Sequence, residues 1–343
     1  MKKIISLCAV FALAFVVSAC GGGNAGSTDC TTKVILITDK TGVDDRSFNQ
    51  GANEGLIKWA DEFKDKGACT VPSIQASSEA DYVPTLESVA GKDNNLVIAA
   101  GFTFSDPMAA VAKKNPDQHF LIIDTETKGD NIVSADFAAN EGSFLVGVAA
   151  AEKAKEANKD KVGFVGGMSS PVIKGFEVGF VQGVHAVDPN MKVDIKYIGS
   201  FTDATKGKTI ATQMYNDGSY VIFVAAGGAG NGVIDAAKEL VKDQSKDVWV
   251  IGVDRDQYDD GKYDGDKSVI LTSMVKRADV ASYDVSKLEM NGKFPGGQTL
   301  KYDLAGGGVG IPEKNPNLSE AIIKAVDDYK TKIVNGTIKV ANE

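Results

Sequence analysis

The sequence predicts an α/β protein in which two doubly wound parallel sheets form two lobes. Three observations lead to this prediction. From Lys33 onward, short apolar runs alternate with amphipathic segments. The apolar runs are nearly continuous in Val, Ile and Leu, as is typical of parallel strands buried on both faces. The pattern restarts after a helical segment at 141–158, which indicates a second sheet. Ligands of open parallel sheets bind beyond the carboxyl ends of the strands, so we expect a hinged cleft between the lobes.

The elements of the first lobe begin with a strand, and every helical segment then leads into a further strand. The strands of this lobe are expected at 33–38, 70–75, 95–100, 120–123 and 132–137, with helices at 47–66 and 107–115. In the second part of the chain, strands are expected at 161–166, 193–198, 220–224, 248–253 and 270–274, with helices at 172–187, 203–216, 232–242 and 278–290.

The chain is expected to cross between the lobes at three places, near 137–140, near Asp254 and near 302–308. These crossings assign 31–138 and about 255–303 to the N-terminal lobe. They assign 139–254 and about 304–343 to the C-terminal lobe.

The N-terminus has the features of a secretory signal peptide, which we place at residues 1–19. A basic start precedes an apolar run at 4–17 that is too short to span a membrane. Cys20 follows small residues and resembles a bacterial lipobox, which implies cleavage before Cys20 and lipidation of its thiol, as by palmitate. The alternative is an ordinary signal peptide in which Cys20 is incidental. Residues 20–30 are read as a flexible tether, so we expect a lipid-anchored protein of the cell membrane that faces the periplasm or the exterior.

The charge of the chain argues against a nucleic-acid partner. The net charge is −9, and loss of Lys2 and Lys3 with the signal peptide leaves −11. Such a surface suits neither nucleic acid nor a polybasic membrane contact. His119 and His185 make no cluster, so neither a metal nor another cofactor is expected.

Cys30 and Cys69 are the two cysteines that remain after Cys8 and Cys20 are assigned to the signal and the anchor. Each precedes one of the first two predicted strands. If these strands are adjacent and parallel, both cysteines lie at one edge of the sheet, within bridging distance. Export makes a disulfide chemically accessible. We therefore predict a Cys30–Cys69 disulfide, with two free thiols as the alternative.

The residues that follow the first strand are the first candidates for a binding site. The strand delivers Asp39 to the rim of the sheet, and the acids at 44–45 can cap the next helix. Phe48 and Asn49 occupy the first turn of that helix, where an aromatic face beside an amide suits a planar heterocycle. The alternative is that the acids only cap the helix and that Phe48 belongs to the core.

The block TDKTGVDDRSFNQGANEGL resembles the basic membrane protein family of bacterial lipoproteins. Further blocks that resemble the family follow in order: FLIID, FAANEGSFLVG, GGM, GFEVGFVQG, GSFTD, AGGAG and GVD. The resemblance covers nearly the whole mature chain. It implies a type I substrate-binding fold that holds a purine nucleoside between its lobes and serves the membrane permease of an ATP-driven importer.

The resemblance also implies roles for particular residues. Asp39, Phe48 and Asn49 match positions that contact the base, and Asp124 matches a carboxylate that faces it; a helix or turn cap is the alternative for Asp124. Phe176 is a candidate for the opposite face of the base. A core role for Phe176 is the alternative, and Phe201 is its rival for that contact.

Asp254 and Lys276 match the acid and the lysine that hold the ribose hydroxyls in the family. A carboxylate and an ammonium group form strong charge-assisted hydrogen bonds with hydroxyls. A structural salt bridge is the alternative, and Asp256 is a second acid for the same place. Gly228 allows the backbone to approach a ligand closely. Its surroundings lack the G-x-G-x-x-G spacing of a dinucleotide site.

We therefore expect a monomeric receptor for guanosine, inosine or adenosine. A sugar receptor is an alternative, because the fold alone does not choose the ligand. A surface adhesin is another. The sequence shows no nucleophile–base pair, metal cluster or catalytic histidine, so an enzyme such as a nucleoside hydrolase is not expected.

Overall fold

The computed structural model describes residues 29–342, so the predicted signal peptide and the predicted lipidation of Cys20 lie outside the described residues. The α-helices of the described part are α1 Phe48–Glu62, α2 Tyr82–Val89, α3 Ser105–Lys114, α4 Ala139–Glu156, α5 Pro171–Val187, α6 Ala204–Asn216, α7 Asn231–Gln244, α8 Ala278–Met290 and α9 Glu320–Val334. The strands are β1 Thr32–Thr38, β2 Ala68–Gln75, β3 Leu96–Ala100, β4 His119–Ile123, β5 Ile132–Phe137, β6 Lys161–Gly166, β7 Lys192–Tyr197, β8 Val221–Ala225, β9 Trp249–Asp254, β10 Lys262–Asp264, β11 Lys267–Ser268, β12 Ile270–Lys276, β13 Thr299–Tyr302 and β14 Val309–Gly310.

The strands form two six-stranded sheets, one in each lobe, which confirms the predicted fold class. The first sheet has the order β13-β5-β4-β3-β1-β2, and the second has the order β14-β12-β9-β8-β6-β7. All neighbours are parallel except β14, which runs antiparallel to β12. Strands β4 and β9 hold the same position in their sheets. The short pair β10 and β11 forms a separate antiparallel hairpin.

Burial explains why the apolar runs became central strands. Every residue of β3 and β8 is buried, because helices cover both faces of the sheets. The edge strands β2 and β7 contain many polar residues, and much of each strand is accessible to solvent. The central strands were predicted from the sequence, whereas the short or less apolar elements were not; these are α2, α9, β10, β11, β13 and β14.

One predicted lobe boundary is wrong. The chain crosses between the lobes after β5, after β12 and after β13, so the crossing expected near Asp254 lies instead after Lys276. Strand β12 pairs in parallel with β9 in the second sheet, from Ile270 beside Val250 onward. Residues 255–276 therefore belong to the C-terminal lobe. The apolar run at 270–276 pairs best with another buried strand, and β9 offers one.

The C-terminal lobe is built around the long helix α4, most of which is buried. Helix α5 packs against it so closely that a Cβ atom at Gly147 would lie 2.3 Å from the carbonyl oxygen of Phe180. Only a glycine allows that approach. This packing fixes the position of α5, whose first turns face the cleft.

In the N-terminal lobe, the starts of β1 and β2 are joined covalently. Cys30 and Cys69 form a disulfide, and their Cα atoms are 5.8 Å apart. The bond lies at the edge of the sheet opposite the carboxyl ends of the strands. Within residues 29–342, no helix combines the length and the apolar character needed to cross a membrane.

Candidate functional site

The carboxyl ends of the two sheets face each other across a cleft that encloses about 630 Å³ of empty space, including its mouth. Both lobes supply residues to its walls. All eight predicted binding residues line it, namely Asp39, Phe48, Asn49, Asp124, Phe176, Gly228, Asp254 and Lys276.

One wall of the cleft carries a polar network that follows β1. The Asp39 Oδ1 atom accepts hydrogen bonds from the Thr41 backbone N–H and from Asn49 Nδ2, both at 2.9 Å. It also accepts one from the Thr41 hydroxyl. Oδ2 of Asp39 has no partner in the described part of the chain, so the network holds a carboxylate oxygen ready to accept a bond from a ligand.

Asp45 is the residue that caps helix α1. Its carboxylate accepts hydrogen bonds from the backbone N–H groups of Ser47, Asn49 and Gln50, at 2.9 to 3.0 Å. Burial raises the pKa of Asp45 to about 6, although the three N–H groups act in the opposite direction. The cap fixes the first turn of α1 and therefore the places of Phe48 and Asn49 in the cleft.

A buried cluster of three charged residues occupies the centre of the cleft. Lys276 Nζ lies 2.8 Å from Asp124 Oδ2 and 3.9 Å from Asp254 Oδ1. The side chain of Lys276 is only 3% exposed, and those of Asp124 and Asp254 are 12% and 8% exposed. Lys276 ends β12 in the C-terminal lobe and Asp124 follows β4 in the N-terminal lobe, so their ion pair links the lobes.

Aromatic rings surround the same ammonium group. Lys276 Nζ lies 4.8 Å from the centroid of the Phe48 ring and 4.9 Å from that of Phe176, within the range of a cation–π contact. Phe176 is 1% exposed, and its ring centroid is 6.3 Å from that of Phe223. Phe176 therefore belongs to the core and also forms a wall of the cleft. Its stacking against a ligand stays a prediction.

Asp124 and Asp254 occupy equivalent places in the two lobes, directly after β4 and at the end of β9. Both have left-handed backbones, with φ angles of 78° and 68°. Strain of this kind in residues other than glycine concentrates at functional sites. Burial raises the pKa of both carboxyl groups, and the nearby Lys276 ammonium partly offsets the rise.

Asp254 faces the cleft, whereas Asp256 is exposed to solvent. This placement resolves the choice that the sequence left open. Ser47 donates a hydrogen bond to Asp254 Oδ2 from the other lobe. The carboxylate of Asp254 therefore accepts from one hydroxyl and lies near the Lys276 ammonium group. A carboxylate and an ammonium group side by side can bind the hydroxyls of a diol.

An aromatic pair in the lining of the cleft joins the two lobes. Phe102, which follows β3, and Phe201, which follows β7, meet edge to face with centroids 5.9 Å apart. Gly228 faces Thr41 across the lobes, and a Cβ atom at Gly228 would lie 2.9 Å from the Thr41 methyl carbon. Gly228 thus allows the lobes to approach each other, and its close approach to a ligand stays a prediction.

Several residues that line the cleft were not predicted from the sequence. Thr41, Phe102 and Thr103 face the cleft, and none of them was a predicted site residue. The signal that identified Asp39 was available for Phe102 and Thr103, because they also follow a buried strand, with only Gly101 between β3 and Phe102. Thr41 enters the site through its hydrogen bond to Asp39, which no sequence pattern displays.

Known proteins are similar to this chain in sequence and in fold. It is 44% identical to the "CD4+ T-cell-stimulating antigen" of Listeria innocua, over 99% of both chains. It is 40% identical to the "ABC transporter nucleoside-binding protein BmpA" of Lactococcus lactis subsp. cremoris, over the full length of both. The crystal structure of an ABC transporter solute-binding protein from Aeropyrum pernix superposes with a TM-score of 0.81 at 27% identity, covering 91% of this chain and 94% of that one.

The two-lobed fold and these relatives define a substrate-binding protein of an ABC transport system. A family model described as "ABC transporter substrate-binding protein PnrA-like" (Bmp) matches residues 32–343. The chain belongs to this family, which confirms the resemblance to the basic membrane proteins.

Proposed function

We propose that the protein captures a purine nucleoside, such as guanosine, inosine or adenosine, and delivers it to the permease of an ATP-driven importer. The observation that carries the proposal is the lining of the cleft. Aromatic rings and polar groups suited to a base come from the N-terminal lobe, and a carboxylate and an ammonium group suited to a diol end two strands of the C-terminal lobe.

The base is assigned to Asp39, Phe48, Asn49 and Asp124. The planar face of Phe48 suits stacking on a flat heterocycle. Asp39 and Asp124 are acceptors for the N–H groups of a purine, and Asn49 is held in place by its bond to Asp39. These groups give a base more specific partners than they would give a free sugar.

The ribose is assigned to Asp254 and Lys276. Two neighbouring hydroxyls can donate to the carboxylate of Asp254, while the ammonium group donates to one hydroxyl oxygen. In the present arrangement Lys276 is 2.8 Å from Asp124 and 3.9 Å from Asp254. A hydroxyl that enters between Lys276 and Asp254 would complete a chain of charge-assisted hydrogen bonds from one lobe to the other.

The charge of the lining favours a nucleoside over a nucleotide. Among the described residues that line the cleft, Lys276 is the only cation, whereas four are aspartates, namely Asp39, Asp45, Asp124 and Asp254. A phosphate group brought into this cleft would meet several carboxylates, and the one ammonium group already has two acidic neighbours. An uncharged ligand avoids this repulsion.

One of the relatives supports the ligand class. The name of the Lactococcus relative states that it binds nucleosides. We propose the same class of ligand here, with export directed by residues 1–19 and anchoring by lipid on Cys20. In this role the protein acts as a monomeric receptor with no catalytic step.

Thermal melting of the purified protein with nucleosides, free bases and sugars tests the proposal. A ligand that binds only the folded state stabilises it and so raises the melting temperature. The stabilisation is about 2.7 kcal/mol when the ligand concentration is a hundred times the dissociation constant. We expect a rise with guanosine, inosine or adenosine and none with ribose. A rise with a sugar alone would replace the nucleoside by a sugar, and no rise with any of them would contradict a receptor for either class.

A further inference from the structure

Residues 45–47 of the N-terminal lobe are held by side chains of the other lobe. The backbone carbonyl of Asp45 accepts a hydrogen bond from Asn231 Nδ2 at 3.0 Å. The next carbonyl, that of Arg46, accepts one from Gln257 Nε2 at 2.8 Å. Two consecutive carbonyl groups of one lobe thus bind two separate amide side chains of the other.

The conformation of this tripeptide is set within its own lobe. Asp45 closes a turn by accepting from the backbone N–H groups of Ser47 and Asn49. Arg46 has a left-handed backbone, with φ of 58°, which is uncommon for a residue with a Cβ atom. The turn therefore directs the two carbonyl groups toward the second lobe.

Gln257 is prepared for this contact within the C-terminal lobe. Its side chain is buried, and its Oε1 atom accepts from the Val253 backbone N–H at 2.9 Å. Its backbone N–H donates to Ser273 Oγ at 3.1 Å. The amide is thereby oriented so that Nε2 points to Arg46. Neither Gln257 nor Asn231 lines the cleft.

The contact is directly connected to the candidate binding site. Ser47 bonds to Asp254, and Phe48 and Asn49 follow it in the chain. When residues 45–47 meet the second lobe, these side chains are brought opposite Asp254 and Lys276.

Two ion pairs also join the lobes, Arg46–Asp260 at 3.8 Å and Arg255–Glu54 at 3.3 Å. They contribute little to closure by comparison, because their side chains are partly exposed.

We propose that residues 45–47, Asn231 and Gln257 form a latch that sets the fraction of the protein in which the lobes are closed. Asn231 and Gln257 are then positioning residues for ligand capture, although they contact no ligand. The apparent dissociation constant equals the intrinsic one divided by the closed fraction, so a weaker latch lowers the affinity. The effect on affinity rests on the proposed function, whereas the effect on closure does not.

Two isosteric substitutions test the latch. Gln257→Glu keeps the acceptor for Val253 but places a carboxylate oxygen against the Arg46 carbonyl. Asn231→Asp places a carboxylate oxygen against the carbonyl of Asp45. We expect each to weaken guanosine binding on the order of tenfold, as for an unsatisfied buried polar group, mainly through faster dissociation. We also expect a larger radius of gyration in small-angle X-ray scattering without ligand.

The Asn231 substitution separates closure from stability. Residue 231 begins α7, where a carboxylate interacts favourably with the helix dipole. Asn231→Asp should therefore leave the melting temperature of the ligand-free protein unchanged or raise it slightly, while it opens the lobes. A role in folding alone would lower the melting temperature and leave the radius of gyration as it is.

Gln118→Glu is the matched control. Gln118 is also a buried glutamine, but its amide bonds only to groups of its own lobe, among them the carbonyls of Asn94 and Asn95. This change should lower stability without changing affinity or closure. Wild-type affinity and an unchanged radius of gyration in both latch variants would overturn the proposal. If the wild-type protein binds no nucleoside, the proposed function fails, and the scattering comparison still decides the latch.

Discussion

Replacing Lys276 by methionine tests whether the centre of the cleft is a charge-balanced cluster. The ammonium group is the only cation within 4 Å of Asp124 and Asp254 among the described residues, and its side chain is 3% exposed. Methionine has a similar length and keeps the apolar contacts with the surrounding rings. Lys276→Met therefore removes the charge and little of the packing.

The distances between the charged atoms give the magnitude of the attraction that the substitution removes. At an effective dielectric constant of about 20, a pair at 2.8 Å and a pair at 3.9 Å attract by about 6 and about 4 kcal/mol before desolvation is counted. Removing one partner of a buried pair costs about 3–5 kcal/mol in measured cases. We expect the free energy of unfolding of the ligand-free protein to fall by about 3–5 kcal/mol near pH 8.

The loss should depend on pH. Burial already raises the pKa of Asp124 and Asp254, and Lys276 partly offsets that rise. Without the ammonium group both pKa values rise further above 3.8, so the folded state holds protons that the unfolded state releases. Stability then falls as pH increases. The deficit of the variant relative to the wild type should therefore be large near pH 8 and smaller near pH 5.

Urea unfolding of both proteins at about pH 5 and about pH 8 measures this deficit. Lys324→Met is a control, because the Lys324–Asp328 pair is exposed and should contribute less than about 1 kcal/mol. Adding Asp124→Asn to Lys276→Met should restore part of the loss, since one uncompensated carboxylate is removed. A deficit below about 1 kcal/mol, or one that is equal at both pH values, would show that Lys276 does not balance the two buried carboxylates.

Three further predictions concern the ligand and the disulfide. Asp254→Ala should weaken guanosine binding by about tenfold or more, as for a lost hydrogen bond to a charged group. Asp256 is an exposed neighbour, so Asp256→Ala should not weaken binding. Equal titration curves for the two variants would contradict the ribose assignment. Affinity for guanosine should fall as the pH is lowered from neutral, because burial raises the pKa of Asp124 and Asp254 above the ordinary aspartate value and protonation removes acceptors. A flat pH profile would argue against both contacts. Replacing Cys30 and Cys69 by serine should lower the free energy of unfolding by about 4 kcal/mol, because the disulfide closes a loop with a separation of 39 residues. Guanosine affinity should stay unchanged, since the disulfide lies at the edge of the sheet away from the cleft. Weaker binding by this variant would show that its effect reaches the site.

The fold was predictable wherever a strand is buried on both faces. Runs such as those of β3 and β8 are apolar throughout because helices cover both sides of the sheets. Strands β13 and β14 were missed because they are short, and their partners come from distant parts of the chain. The lobe boundary near Asp254 failed for a related reason. Sequence order does not reveal that β12 pairs with β9 before the chain crosses.

The site was predictable to the extent that it lies at strand ends. Asp39, Asp124 and Asp254 follow or end strands. This rule together with the family resemblance placed Asp39 and Asp124 on the rim of the first sheet and Asp254 at a strand end of the other lobe. The contacts between lobes were not predictable in the same way. The bond from Gln257 to Arg46 joins residues 211 positions apart and depends on a left-handed backbone at Arg46, which no local pattern displays.

Calorimetric titration of the purified protein with guanosine is the decisive test of a nucleoside receptor. We expect saturable binding of one guanosine per chain, no comparable heat with ribose, and weaker binding by Asp254→Ala. Binding of ribose or another sugar with no response to guanosine, inosine or adenosine would contradict it.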